Sequence, residues 1–140
     1  MITCCVVGLG YIGLPTAAVL ARAGHHVLGV DVNPQVVATV HEGRIHIVEP
    51  DLDQAVAAAV ASGSLAAQFI PAPADVFLIA VPTPFRSGPD GIPLPNIDYV
   101  LAAARAIAQV LRPGNLVRWN PPLRSAPPSR SRRSSKTQAA

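Results

Sequence analysis

Four residues near the start of the chain have types and spacing that could hold a phosphate-bearing ligand. Gly8-Leu9-Gly10-Tyr11-Ile12-Gly13 is a GxGxxG run, and Asp31 follows 18 positions after Gly13. In a chain with ten glycines the run alone is a weak signal. It gains meaning between a strand and a helix, because the backbone does the chemistry there. Gly8 permits a tight turn out of the strand, Gly10 lets the backbone approach a pyrophosphate, and Gly13 lets the helix pack close to the sheet. A helix starting at that point offers unpaired N–H groups and a partial positive charge to the phosphates. A carboxylate at Asp31 would accept hydrogen bonds from the ribose hydroxyls of an adenosine and repel a 2′-phosphate, favouring NAD over NADP. The bland alternative is a helix-capping Asp beside a glycine-rich turn.

The surrounding pattern supplies the elements that such a site needs. Ile2–Val7 is a short apolar, β-branched run ending at Gly8, as a buried strand would. Tyr11–Ala23 carries Ala, Val and Leu at helical spacing, with Gly24 as its C-terminal stop. Val27–Val30 reads as a second strand ending at Asp31. Asn33 and Pro34 open a second helix that runs to about His41–Gly43. The Ala-rich stretch Asp51–Ser62 predicts a third helix closed by Gly63. Residues 68–70 are a weak strand candidate and Val76–Val81 a strong one. Five prolines and two glycines over residues 82–95 predict an irregular loop. A helix from Asn96 or Asp98 to Leu111 and a strand beginning at Asn115–Val117 complete the order β-α-β-α-α-β-β-α-β. That order predicts an α/β fold, a Rossmann-type doubly wound parallel sheet.

Composition narrows the classes. Half of the 140 residues are hydrophobic and 14% charged, enough to build a core and too apolar for a chain disordered throughout. Aromatics make up only 4%, so the core must come from Ala, Val, Leu and Ile. The two cysteines, Cys4 and Cys5, are adjacent, which excludes a disulfide-stapled secreted fold and a cysteine-based zinc site. They read as packing residues rather than reactive thiols. Residues 2–21 lack charge, but three glycines and Pro15 interrupt them and no basic segment precedes them, so a cytoplasmic protein is expected.

Charge is divided unevenly. Residues 1–117 carry five basic and eight acidic side chains, whereas residues 118–140 carry six basic and none acidic. The latter stretch is rich in Pro, Ser and Arg, and the expectation is a basic tail that is disordered or frameshift-derived. A nucleic-acid role would rest on charge alone, without aromatics to stack on bases, and no nucleic-acid or membrane partner is expected.

The remaining polar groups read as bland. His25 and His26 fall in a turn, and His41 near a helix end would favour its dipole. His46 has no carboxylate at catalytic or metal spacing. Glu49, Asp51 and Asp53 read better as the acidic start of a helix than as a metal site, so neither metal ligands nor catalytic residues are assigned.

Three segments together resemble the UDP-glucose/GDP-mannose dehydrogenase family. They are Val7-Gly8-Leu9-Gly10-Tyr11-Ile12-Gly13-Leu14-Pro15-Thr16-Ala17, Gly43-Arg44-Ile45-His46-Ile47-Val48-Glu49-Pro50-Asp51-Leu52, and Ile79-Ala80-Val81-Pro82-Thr83-Pro84-Phe85. The second and third look most like the family's bacterial UDP-N-acetyl-D-mannosamine dehydrogenase branch. The likeness covers residues 1–117. It implies a two-step oxidation of the C6 alcohol of a nucleotide sugar to a uronate with NAD, serving surface polysaccharide synthesis. It also implies that the backbone at Tyr11 and Ile12 meets the cofactor phosphates and that Thr83 contacts the cofactor. The family's aldehyde step resembles thiohemiacetal chemistry on a nucleophilic Cys, with a Lys and an Asn nearby. Here no Cys follows Cys5, the single Lys is Lys136, and after Val117 the chain reads Arg118-Trp119-Asn120-Pro121-Pro122 instead of the family's Ser/Thr-rich loop. The expectation is therefore an NAD-binding portion, inactive alone, with most of the nucleotide-sugar site and the dimerising segment of a homo-oligomeric family absent.

Overall fold

The computed structural model describes residues 1–120. Eleven elements alternate along them: β1 (Thr3–Val7), α1 (Gly13–Arg22), β2 (His26–Val30), α2 (Pro34–His41), α3 (Leu52–Ala61), β3 (Leu65–Gln68), β4 (Val76–Ile79), β5 (Phe85–Ser87), β6 (Pro93–Pro95), α4 (Asp98–Ala108) and β7 (Leu116–Trp119). Five strands form one parallel sheet in the order β3-β2-β1-β4-β7. The chain steps outward from β1 to β3, then returns across the sheet to place β4 beside β1. That reversal makes the β1/β4 seam a topological switch point, where open α/β sheets bind ligands beyond the carboxyl ends of their strands. The sheet is the expected Rossmann-type fold.

Alternation along β1 divides the core. Cys4 and Val6 face α1, α2 and α3, joining Leu14, Ala17, Val40, Leu52, Val56 and Leu65. Cys5 and Val7 point the other way, onto Phe77, Ile79 and the α4 residues Ala103 and Ile107. The adjacent thiols are thus separated by the sheet, and both are free.

Local signals account for most element ends. Asn33 Oδ1 accepts the Gln35 amide at 3.0 Å, with Pro34 opening α2. Asn96 Oδ1 does the same for the Asp98 amide at 3.0 Å, just ahead of α4. Gly24 and Gly63 lie just past α1 and α3 with φ of 97° and 78°, the left-handed stop that glycine favours.

The structure departs from expectation at four places. β3 occupies Leu65–Gln68, not residues 68–70, because pairing of Leu65 with Val27 buries Leu65 while Phe69 and Ile70 stay exposed. The proline-rich loop contains an antiparallel hairpin of β5 and β6. Asn96 N donates to Pro84 O at 2.7 Å and Gly88 N to Ile92 O at 3.0 Å. Pro93 and Pro95 fall at the alternate pairs between these bonds, so their missing N–H groups do not break the ladder. β7 runs two residues past Val117, taking Arg118 and Trp119 into register with Leu78 and Ile79. Finally, Asp51 precedes α3 with a left-handed φ of 60° and no side-chain cap, so only Asp53 lies in the first turn. The tail expected beyond β7 falls, over residues 121–140, outside the described residues.

Candidate dinucleotide site

The glycine run leaves β1 at the point where three strand ends meet. Gly8 N donates to Val30 O at 2.7 Å, and Ala80 N donates to Val7 O at 2.8 Å. Gly8 has φ of 100°, and a Cβ there would lie 2.6 Å from Ala80 O and 2.9 Å from Val81 N. Both the turn and the closeness of the β4 end therefore require glycine. Gly13, the first residue of α1, is as constrained: a Cβ would stand 1.6 Å from Gly8 O. Gly10 differs from both, since a Cβ would meet nothing within 4 Å. No atom of the described residues accounts for the missing side chain at Gly10.

The start of α1 is open. Ile12 holds the N-cap position without a side-chain cap, and the first turn carries no acid. Leu14 N and Thr16 N bond back to Gly10 O and Ile12 O, both at 3.1 Å. The Gly10, Tyr11 and Ile12 amides donate to no acceptor among the described residues. Thr16 Oγ1 turns back onto Ile12 O at 2.7 Å rather than toward these amides. Tyr11 is exposed and Ile12 half-buried. Such a terminus presents donors and a positive partial charge to an anion.

Asp31, one residue past β2, is half-buried beside the run. Its Oδ2 accepts the Leu9 amide at 3.0 Å and its Oδ1 the Asn33 amide at 2.9 Å. Each carboxylate oxygen has a second lone pair, so two further donors can be accepted. Thr83 lies beyond β4 on the same strand-end side, half-buried, with no hydrogen bond to another described residue. The structure thus joins Gly8, Gly10, Tyr11, Ile12, Gly13 and Asp31 in one connected unit, and leaves Thr83 outside that hydrogen-bonded unit.

Two supports had no weight in the sequence reading. Leu9 is fully buried, and a Cβ on Gly29 would lie 2.9 Å from both its terminal methyl groups. An isolated glycine inside an apolar strand was the available signal, since it marks close approach by another group. Asp75 Oδ2 accepts the Thr3 amide at 2.8 Å, while its backbone bonds to Thr3 and Leu116, tying β4 to both neighbours.

The other reactive types stand apart. Burial, and secondarily the charge of Asp75, raises the Cys4 thiol above its usual range. Burial pushes Cys5 up to about 11. Both remain protonated thiols at neutral pH, unsuited to nucleophilic attack. His25 Nδ1 accepts the Ile2 amide at 3.3 Å. His46, Glu49, Asp51 and Asp53 are exposed around a shallow depression between α2 and α3. No cluster of three or more metal-ligating side chains occurs among the described residues. None of the helices among them is long and apolar enough to cross a membrane.

Comparison with known proteins gives the same direction. Residues 2–121 match the NAD-binding domain of the UDP-glucose/GDP-mannose dehydrogenase family. The NDP-N-acetyl-D-galactosaminuronic acid dehydrogenase of Ralstonia nicotianae is 59% identical over 82% of this chain and 26% of its own length. The UDP-N-acetyl-D-mannosamine dehydrogenase of Campylobacter jejuni is 52% identical over 81% and 27% respectively. Among solved structures, the UDP-N-acetyl-mannosamine dehydrogenase of Staphylococcus aureus superposes with a TM-score of 0.79 at 39% identity, covering 85% of this chain and 28% of that one. The chain spans about a quarter of the length of the curated relatives it matches.

Proposed function

The chain belongs to the UDP-glucose/GDP-mannose dehydrogenase family, matching that family's NAD-binding domain, and we propose that it is the cofactor-holding portion of a nucleotide-sugar 6-dehydrogenase. The substrate class we assign is a nucleotide-linked N-acetylhexosamine such as UDP-N-acetylmannosamine. Its C6 alcohol would be oxidised to the uronate for surface polysaccharide synthesis in the cytoplasm. Two relatives named for N-acetylated sugars support that class.

The observation that carries the reading is Gly10. Gly8 and Gly13 are demanded by their protein neighbours, whereas none of the described residues demands glycine at position 10, and a ligand close to the backbone would. In the proposed complex the Gly10, Tyr11 and Ile12 amides hold the pyrophosphate, and the α1 terminus stabilises its charge. Asp31 accepts the ribose hydroxyls on its free lone pairs, and Thr83 contacts the cofactor from the β4 side. NAD, when bound, supplies the hydride acceptor for each oxidation step.

A non-catalytic reading of the isolated chain is favoured by one observation. Its only thiols, Cys4 and Cys5, are buried in the sheet and protonated, so a thiohemiacetal cannot form on either. The chain alone should bind NAD and produce no reduced cofactor from UDP-N-acetylmannosamine. Calorimetric titration with NAD and NADP tests the first part: NAD should bind more tightly, and absence of NAD binding would overturn it. Sustained formation of reduced cofactor with the sugar nucleotide would overturn the second.

A further inference from the structure

Leu9 occupies an unusual place, as a fully buried apolar side chain in the middle of a glycine run. Its neighbours Gly8 and Gly10 have no side chains to pack, and Tyr11 is exposed. Leu9 is therefore the one side chain of residues 8–11 that is buried beneath the backbone facing the α1 terminus. Two groups grip that residue. Its methyl groups lie over Gly29, where a Cβ would be 2.9 Å from each. Its amide donates to Asp31 Oδ2 at 3.0 Å. Asp31 is itself fixed, since Oδ1 accepts the Asn33 amide at 2.9 Å and its own amide donates to Gln68 O at 3.2 Å.

We propose that Gly29 and Asp31, acting through Leu9, are positioning residues that set the height of the phosphate-facing backbone, so that Asp31 governs phosphate geometry as well as ribose recognition. The inference rests on the dinucleotide reading above and extends it. A glycine loop without this clamp would have to be ordered by the ligand, and affinity would fall by the cost of that ordering. Phosphate affinity and the choice between NAD and NADP are then coupled, because one carboxylate serves both.

The two roles separate on a ligand that lacks the ribose hydroxyls. The full chain and its variants are titrated calorimetrically with ADP and with 2′,3′-dideoxy-ADP, and melted to confirm folding. If Asp31 only meets the ribose, Asp31→Ala leaves dideoxy-ADP affinity unchanged, or improves it by removing a negative charge near an anion. The clamp predicts a loss of roughly tenfold instead, the scale of a hydrogen bond to a charged group. Asp31→Asn keeps an oxygen able to accept from Leu9 and should retain most of the dideoxy-ADP affinity. Gly29→Ala, which touches no ligand, should weaken both ADP and dideoxy-ADP because Leu9 must shift. Unchanged dideoxy-ADP affinity in Asp31→Ala or in Gly29→Ala overturns the proposal and leaves the dinucleotide reading standing. Failure of the wild-type chain to bind ADP overturns that reading and the proposal with it.

Discussion

Replacing Gly10 by Ala tests the proposal that this glycine is kept for a ligand, where Gly8 and Gly13 are kept for the fold. At Gly10 the added methyl meets no atom of the described residues within 4 Å, and φ lies outside the left-handed region. The substitution should therefore leave stability unchanged or raise it by about 0.4–1 kcal/mol, through loss of unfolded-state freedom. In a domain of this size that is a rise in Tm of a few degrees at most. In the proposed complex, however, a cofactor phosphate approaches Gly10, and the same methyl would occupy its place. Overpacking of one methyl costs about 1–3 kcal/mol, which corresponds to roughly 5- to 150-fold weaker NAD binding. Gly8→Ala and Gly13→Ala behave oppositely. The first forces φ of 100° on an alanine and brings Cβ to 2.6 Å from Ala80 O; the second brings Cβ to 1.6 Å from Gly8 O. Each should cost about 1–3 kcal/mol of stability or more before any ligand is added. Urea denaturation and NAD calorimetry on the three variants give the two readouts. The reasoning is refuted if Gly10→Ala melts as early as the other two, or if it binds NAD as tightly as the wild type.

Other outcomes follow from the core and the edges. Asp31→Ser should raise NADP affinity relative to NAD, and an unchanged ratio in paired titrations would discredit the ribose assignment. Phe77→Ala empties the centre of the α4-side cluster and should cost about 3–5 kcal/mol in a denaturant melt. The Cys5 thiol, raised from 9.0 to about 11 by burial, should resist alkylation at neutral pH in the folded chain. Above pH 9 the unfolded chain loses this proton while the folded chain keeps it, so stability should fall from pH 9 toward 11, and Cys5→Ser should flatten that part of the profile. On the β7 edge, Leu116, Val117 and Trp119 are all exposed. Concentration-dependent association should appear in sedimentation velocity and diminish in Trp119→Lys.

The parts of this fold that were legible in the sequence are those governed by local chemistry. A left-handed glycine after a helix, an Asn-Pro start and a short apolar run ending in glycine each act within a few residues, and Gly24, Asn33-Pro34 and Val7-Gly8 did as their types dictate. What was illegible depends on partners distant in the chain. β3 is placed by pairing with β2 and not by its own Ala-rich composition, so the more apolar Phe69-Ile70 pointed to the wrong residues. The β5/β6 hairpin tolerates two prolines only because they fall two apart, at pairs that exchange no hydrogen bonds. Arg118 enters the sheet because β4 offers it a ladder, despite standing at the head of a basic, proline-rich stretch.

The site divides along the same line. The spacing of Gly8, Gly10, Gly13 and Asp31 was visible, but one reason could not be read from spacing at all. Gly8 and Gly13 protect each other and the β4 end from collision, while Asp31 and Gly29 hold Leu9. The contact of Gly8 with Ala80 links residues 72 positions apart and exists only once β4 returns beside β1, whereas Gly13 answers to Gly8 and Leu9 to the end of β2. The same strand return that creates the crevice therefore also demands the glycine at position 8. On the proposed function a motif of this kind carries two demands, one from the protein and one from the ligand, and Gly10 is the position at which none of the described residues makes the first.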